Sequence, residues 1–162
     1  MTWTPELELE RAVRDHATEL VSYALRAGLD ADSARDAVQA ALLDAWHGLL
    51  NRSRPNNLRA WIYRLVHNRI VSQRRHDGAL RKALLRCQTP EPTEPPADLE
   101  LLEALRGLPD RQRQILLLRY CQGLEHGEVA EVLDLPESTV KVYASRALAD
   151  LRERLAISRN AS

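Results

Sequence analysis

The 162-residue sequence predicts an all-α protein, two small helical domains joined by a Pro-rich linker, the second a helix-turn-helix domain. Three observations predict it. Apolar residues recur at helical spacing almost throughout, with Leu, Ala and Arg dominant, no Phe and only six Gly. The segment CQTPEPTEPPAD carries Pro90, Pro92, Pro95 and Pro96, which exclude helix and favour extended chain. Near the C-terminus, a short helical pattern, a tight turn and a longer helical pattern follow one another in the rhythm of a helix-turn-helix. The expected division is a domain over 1–86, a linker over 87–98 and a domain over 99–162.

The first helix runs from about Pro5 to Ala27 and stops at Gly28. The second spans about Ala31 to Leu50, with Ala34, Val38, Ala41, Leu42, Ala45, Trp46 and Leu49 as its inward stripe. Its other face combines Asp36, Gln39, Leu43, His47 and Leu50, a mixture too apolar for a purely solvated face and suited to docking on a protein. A polar loop, Asn51 to Asn57, follows. The third helix, from about Leu58 to Arg75, is expected to bury Leu58, Trp61, Ile62 and Leu65. It projects Arg64, Asn68 and Arg75 near one another, with Arg59, Arg69 and Arg74 alongside and Trp61 and Tyr63 interleaved. Cations mixed with aromatics and amides suit unpaired bases as well as phosphate. Trp46 and Trp61 are read first as core residues.

After the linker, Leu99, Leu101, Leu102, Leu105 and Leu108 mark a short amphipathic helix, and Pro109 opens the next one, which ends by Gly123. A helix over about Glu125–Leu133 points Val129, Ala130 and Leu133 inward. Asp134 stands where the chain must turn sharply, in a left-handed conformation that Asp tolerates better than most residues. The last helix starts near Glu137 and buries Val140, Ala144, Ala147, Leu148, Leu151 and Leu155. It presents Ser138, Lys141, Val142, Ser145 and Arg146 on the opposite face, side chains suited to phosphates and base edges.

Net charge is zero, but its distribution is uneven. Residues 1–51 carry a balance of −5, residues 52–86 one of +9, residues 87–110 one of −5, and residues 111–162 one of +1. The basic block is an electrostatic footprint for a polyanion. The acidic N-terminus lacks the basic start and apolar core of a secretory signal, and no apolar run reaches membrane-spanning length, so a cytoplasmic location without membrane insertion is expected. Cys87 and Cys121 lie far apart and the five His are scattered, so no metal site and no cofactor are expected; Cys121 is read as a buried residue at a helix end. No Gly-rich phosphate loop or nucleophile–base motif appears, so no catalytic residues are assigned. His67 is read as a phosphate or structural contact.

Two stretches, DAVQAALLDAWHGL (Asp36–Leu49) and NNLRAWIYRLVHNRI (Asn56–Ile70), resemble the polymerase-binding and promoter-opening domain of bacterial extracytoplasmic-function sigma factors. The stretch LPDRQRQILLLRYCQGL…EVAEVLDLP…TVK resembles their C-terminal promoter-binding domain. The resemblance implies an alternative sigma factor, a specificity subunit that binds core RNA polymerase at its clamp and flap, directs it to promoters and promotes strand opening. It assigns Asp36, Gln39, Leu43 and His47 to the polymerase. It assigns Asn56, Asn57, Arg59, Arg64, Asn68, Arg69, Arg74 and Arg75 to the single-stranded −10 element, where a flipped base needs polar readers. It assigns Ser138, Thr139, Lys141, Val142, Ser145 and Arg146 to the −35 duplex, and it allows an anti-sigma factor as a further partner. The sequence departs from the family pattern at Ala40, Leu42 and Asp44, at Asp134 and at Val142-Tyr143. Two other readings stand beside it: a conventional helix-turn-helix regulator, and a sigma-like interaction protein that has lost promoter opening.

The offsetting charge blocks give the first expectation: the free chain binds DNA weakly, and promoter affinity emerges with the polymerase. A gel shift with the protein alone checks this, and tight specific binding at physiological salt would contradict it.

Overall fold

The computed structural model describes residues 4–84 and 99–161 of the chain. The expected linker, 87–98, and with it Cys87, lies outside the described residues. Every regular element among the described residues is helical: α1 (Pro5–Arg26), α2 (Ala31–Leu50), α3 (Leu58–Leu84), α4 (Leu99–Arg106), α5 (Asp110–Leu116), a π-helical turn continuing α5 (Leu117–Cys121), α6 (His126–Leu133) and α7 (Glu137–Asn160).

Local chemistry sets the boundaries. Pro5 begins α1, where its missing N–H is no loss, and Gly28, at φ 105°, lets the chain reverse into α2. Asp30 caps α2: its carboxylate accepts the Ser33 N–H at 2.8 Å and the Ser33 hydroxyl at 3.0 Å. Those bonds, the backbone one first, hold the Asp30 carboxyl below its usual range. At the start of α6 the Glu128 carboxylate accepts the Glu125 N–H at 3.1 Å. Asp134 closes α6 in the left-handed region at φ 54°, as the turn requires. The third helix continues nine residues past the expected end at Arg75, to Leu84.

The N-terminal helices pack as a bundle, α2 against both α1 and α3. In the C-terminal helices α7 carries α4, α5 and α6 along its buried stripe of Val140, Ala144 and Ala147. Leu108 and Leu116 close over Ala147, with Leu105, Leu148 and Leu151 partly covering them. The two groups do not stand apart. α6 lies on α3 and the π-helical turn touches α1, so one apolar cluster runs from Leu20 and Tyr23 through Val66 and Ile70 to Leu118, Val129 and Val132.

This placement corrects the expected inward face of α3. Leu58, Trp61 and Leu65 are only half-buried. The fully enclosed side chains are Ile62, Tyr63, Val66 and Ile70, because α3 is covered from two directions. Tyr63, expected among the surface cations, is wholly buried. Cys121, expected inside, is exposed at the end of the π-helical turn. Trp46 and Trp61 pack against the core as partly buried residues. Trp61 lies so close to Gly48 that a Cβ there would sit 2.9 Å from its ring.

The left-handed Asp134 gives a stability test. Asp134→Gly removes the Cβ clash and should raise stability by about 1 kcal/mol, or Tm by roughly 2–4 °C. Asp134→Val should lower it by at least as much. Thermal unfolding followed by circular dichroism checks both signs.

Candidate nucleic-acid and polymerase interfaces

Three surfaces carry the residues singled out in the sequence. On α2, Asp36, Gln39, Leu43, His47 and Leu50 are all exposed and follow one another at spacings of three or four, forming one stripe. Leu43 is 56% exposed and Leu50 52% exposed, an unusual cost for two leucines on one polar stripe. The buried positions Ala34, Ala37, Val38, Ala41, Ala45 and Leu49 occupy the opposite side. Helical periodicity alone separated these faces, and only Ala37 was missed from the inward set.

On α7, Ser138, Lys141, Val142, Ser145 and Arg146 are exposed and Thr139 is half-buried. Lys141 pairs with Glu137 one turn back at 3.4 Å, an exposed contact worth little and easily exchanged for a phosphate. Val142, 50% exposed, offers a methyl surface. Tyr143 turns the other way and packs against the core, so it serves α7's seat and not its outer face.

The basic set on α3 and its preceding loop divides by environment. Arg64 and Asn68 are exposed and line an open cleft of about 910 Å³ with His67, Val71 and Ser72 on one wall. Asp110, Arg111, Gln114, Val132, Leu133 and Asp134 form the other wall. Arg69 points elsewhere, its Nε 2.9 Å from the Asp44 carboxylate of α2. Asp44, a departure from the family pattern, therefore has an intrachain partner. Arg74 lies 3.9 Å from Asp110. Asn56 is exposed in the loop. Asn57 caps the first turn of α3 through the Ala60 N–H at 3.0 Å and donates to Glu128 of α6 at 3.1 Å. Arg59 donates to the backbone carbonyl of Gln122 and lies 5.9 Å over the Tyr63 ring. The side chain of Arg75 lies outside the described residues.

Beneath this surface sits a polar network that periodicity did not reveal. The Tyr63 hydroxyl donates to Oε1 of Gln122 at 2.8 Å. The Tyr23 hydroxyl is 3.0 Å from Nδ1 of His67, and the two tyrosine rings meet edge to face at 5.8 Å. Burial, then the Glu19 carboxylate, pushes the Tyr63 hydroxyl up to about 12; burial, then Tyr63, raises Tyr23 further still. Burial, then the Arg111 guanidinium, lowers His67 from 6.5 to about 4. His67 is thus a neutral structural residue at ordinary pH. The signal that could have found it was a His flanked by Val66 and Ile70 on one helical face.

No group of His, Cys, Asp and Glu among the described residues could hold a metal ion, and no helix among them is long and apolar enough to cross a membrane.

Residues 12–79 match the sigma-70 region 2 family and residues 98–151 match the sigma-70 region 4 family. The sequence is 34% identical to the ECF RNA polymerase sigma factor SigL of Mycobacterium tuberculosis, covering 95% of this chain and 94% of that one. It is 25% identical to RNA polymerase sigma factor YlaC of Bacillus subtilis, covering 93% and 94%. Among solved structures, CnrH in complex with the cytosolic domain of CnrY superposes with a TM-score of 0.71 at 26% identity, covering 94% of this chain and 90% of that one. The fold also matches the sigma factor RpoE, solved with the anti-sigma factor NepR from Bartonella quintana, at a TM-score of 0.74, 24% identity, and coverage of 93% and 98%.

The lowered His67 sets a pH dependence. Between pH 6.5 and about 4 the unfolded chain binds a proton at His67 that the folded chain refuses. Stability therefore falls as pH drops through this window, by about 3 kcal/mol from this residue once below it. His67→Gln should flatten that part of the curve in urea unfolding measured at successive pH values; an unchanged slope would show that His67 is solvated.

Proposed function

The chain belongs to the sigma-70 family, as an extracytoplasmic-function sigma factor that directs RNA polymerase to promoters, and we propose that it does so through three surfaces on two domains, 1–86 and 99–162, joined at 87–98. The α2 stripe of Asp36, Gln39, Leu43 and His47 docks on the clamp of core polymerase, and the C-terminal domain meets the flap. Ser138, Thr139, Lys141, Val142, Ser145 and Arg146 of α7 enter the −35 major groove, with Lys141 and Arg146 on phosphate or base edges and Val142 against a thymine methyl. Arg64, Asn68 and Arg69, with Asn56, Asn57, Arg59, Arg74 and Arg75, hold the −10 strand once it is unpaired.

The observation that carries this reading over a free-standing regulator is the exposed α2 stripe, because a protein that only binds duplex DNA has no use for Leu43 in water. Strand separation is driven by binding: the unpaired strand gains contacts to α3 that the duplex lacks. The chain supplies no covalent chemistry and no catalytic residue. It acts where core polymerase is, in the cytoplasm. RpoE was solved with the anti-sigma factor NepR, and CnrH with the cytosolic domain of CnrY, which supports an anti-sigma partner here.

In vitro transcription with bacterial core polymerase and genomic DNA, with start sites mapped, should show added initiation; none would sink this reading. On a promoter so found, Arg64→Ala and Asn68→Ala should reduce open-complex formation about tenfold while core polymerase affinity changes less than about twofold. Leu43→Asp should do the reverse. Equal loss of both activities in the α3 variants would refute the division of labour.

A further inference from the structure

The cleft of about 910 Å³ has a size and lining that the promoter surfaces leave unused. Small-molecule sites commonly measure about 300–1,000 Å³. Of the residues that line it, only Arg64 and Asn68 are assigned to DNA. Arg64 on α3 and Arg111 on α5 stand on its two walls, and neither has a carboxylate partner among the described residues. Arg111 makes one long hydrogen bond, 3.5 Å, to the Leu133 carbonyl. His67 is 8% exposed and still reaches the cleft. Its Nδ1 is 3.0 Å from the Tyr23 hydroxyl, so Nε2 is the nitrogen left for a ligand. With the tyrosine donating, Nε2 carries the hydrogen and is a donor.

The carboxylates there differ. Asp110 is taken by Arg113 and lies 3.9 Å from Arg74. Asp134 is exposed, with no cationic partner among the described residues. Val71, Val132 and Leu133 add apolar surface, and Ser72 and Gln114 add uncharged polar groups.

We propose that this cleft binds a nucleoside phosphate, its phosphates on Arg64, Arg111 and Nε2 of His67 and its base against Val71 and the end of α6. Two guanidiniums and an imidazole N–H are donors suited to phosphate oxygens. An inorganic polyanion leaves the apolar surface bare and brings charge toward Asp134. A base covers that surface and offers the carboxylate an amino group. Arg64 and Asn68 are also assigned to the −10 strand, so nucleotide and strand compete. That consequence rests on the promoter reading of α3, and it ties promoter capture to the supply of nucleotides that transcription consumes.

Calorimetry of the full-length chain with ATP, magnesium absent, should show one site with Kd below about 1 mM, and inorganic pyrophosphate should bind about tenfold more weakly. Arg64→Ala and Arg111→Ala should each weaken ATP about tenfold or more. Val71→Ser should weaken ATP about threefold and leave pyrophosphate unchanged. Arg152→Ala, exposed on α7 and outside the cleft, should change neither. Circular dichroism checks that each variant is folded. In NMR spectra ATP should shift the ring signals of His67 and leave those of His16 and His47, which lie outside the cleft, in place. No binding, equal affinity for pyrophosphate, or ATP binding indifferent to Arg111→Ala would overturn the proposal.

Competition is read separately by fluorescence anisotropy at low salt. ATP should displace single-stranded DNA of about 20 nucleotides from the unaltered chain and not from Arg111→Ala. ATP bound without displacement overturns the competition. A chain that binds ATP but no strand counts against the promoter reading, with the cleft upheld by calorimetry.

Discussion

The burial of Tyr63, Val66 and Ile70 on α3 is the contact on which the rest of the molecule depends. Each removes an apolar side chain from water, worth about 1.5–3 kcal/mol apiece. They do so against two sets of helices at once. α1 and α2 cover one flank, and α6 covers another. A helix enclosed on two flanks has one remaining strip for solvent, and on α3 that strip is where Arg64 and Asn68 emerge. The position of the cationic surface is therefore a by-product of how the core closes. The same enclosure removes His67 and the two tyrosines from water, so that Tyr23 pairs with His67 and Tyr63 with Gln122.

Much of this was legible in the sequence, and the failures have a common cause. The faces of α2 and α7 followed from periodicity, because each helix has one buried stripe and one open one. Asp134 was legible because a short turn between two helices leaves few backbone options. On α3 the pattern misled. Tyr63 sits among arginines in sequence, and amphipathic spacing predicts one buried stripe, whereas α3 has a wide one. Arg59 and Asn57 looked like free polar groups, and nothing local reveals that Gln122 and Glu128, some sixty to seventy residues away, meet them. Cys121 failed for the opposite reason: the widened turn at Leu117–Cys121 rotates it outward from the stripe an α-helix would predict.

The departures from the family pattern are accommodated locally. Asp44, where a basic residue is common, holds Arg69 across the α2–α3 contact. Asp134, where Gly is common, adopts the left-handed conformation at modest strain. Tyr143 fills space against the core, leaving Val142 alone to alter the outer face of the recognition helix. Asp44 and Tyr143 are thus answered by neighbours in the same chain, which is one way a divergent sequence keeps a shared fold.

The π-helical turn also bears on how this chain could diverge. Such a turn holds one residue more than the α-helix it interrupts. Losing a single residue between Leu117 and Cys121 would restore the ordinary repeat and leave the residues that follow on the same face of the helix axis. Gln122 would keep its approach to Tyr63 and Arg59, and Leu124 its place in the core. A one-codon deletion here is thus a smaller event than the same deletion in a regular α-helix, where nothing absorbs the turn of about 100° that a lost residue leaves.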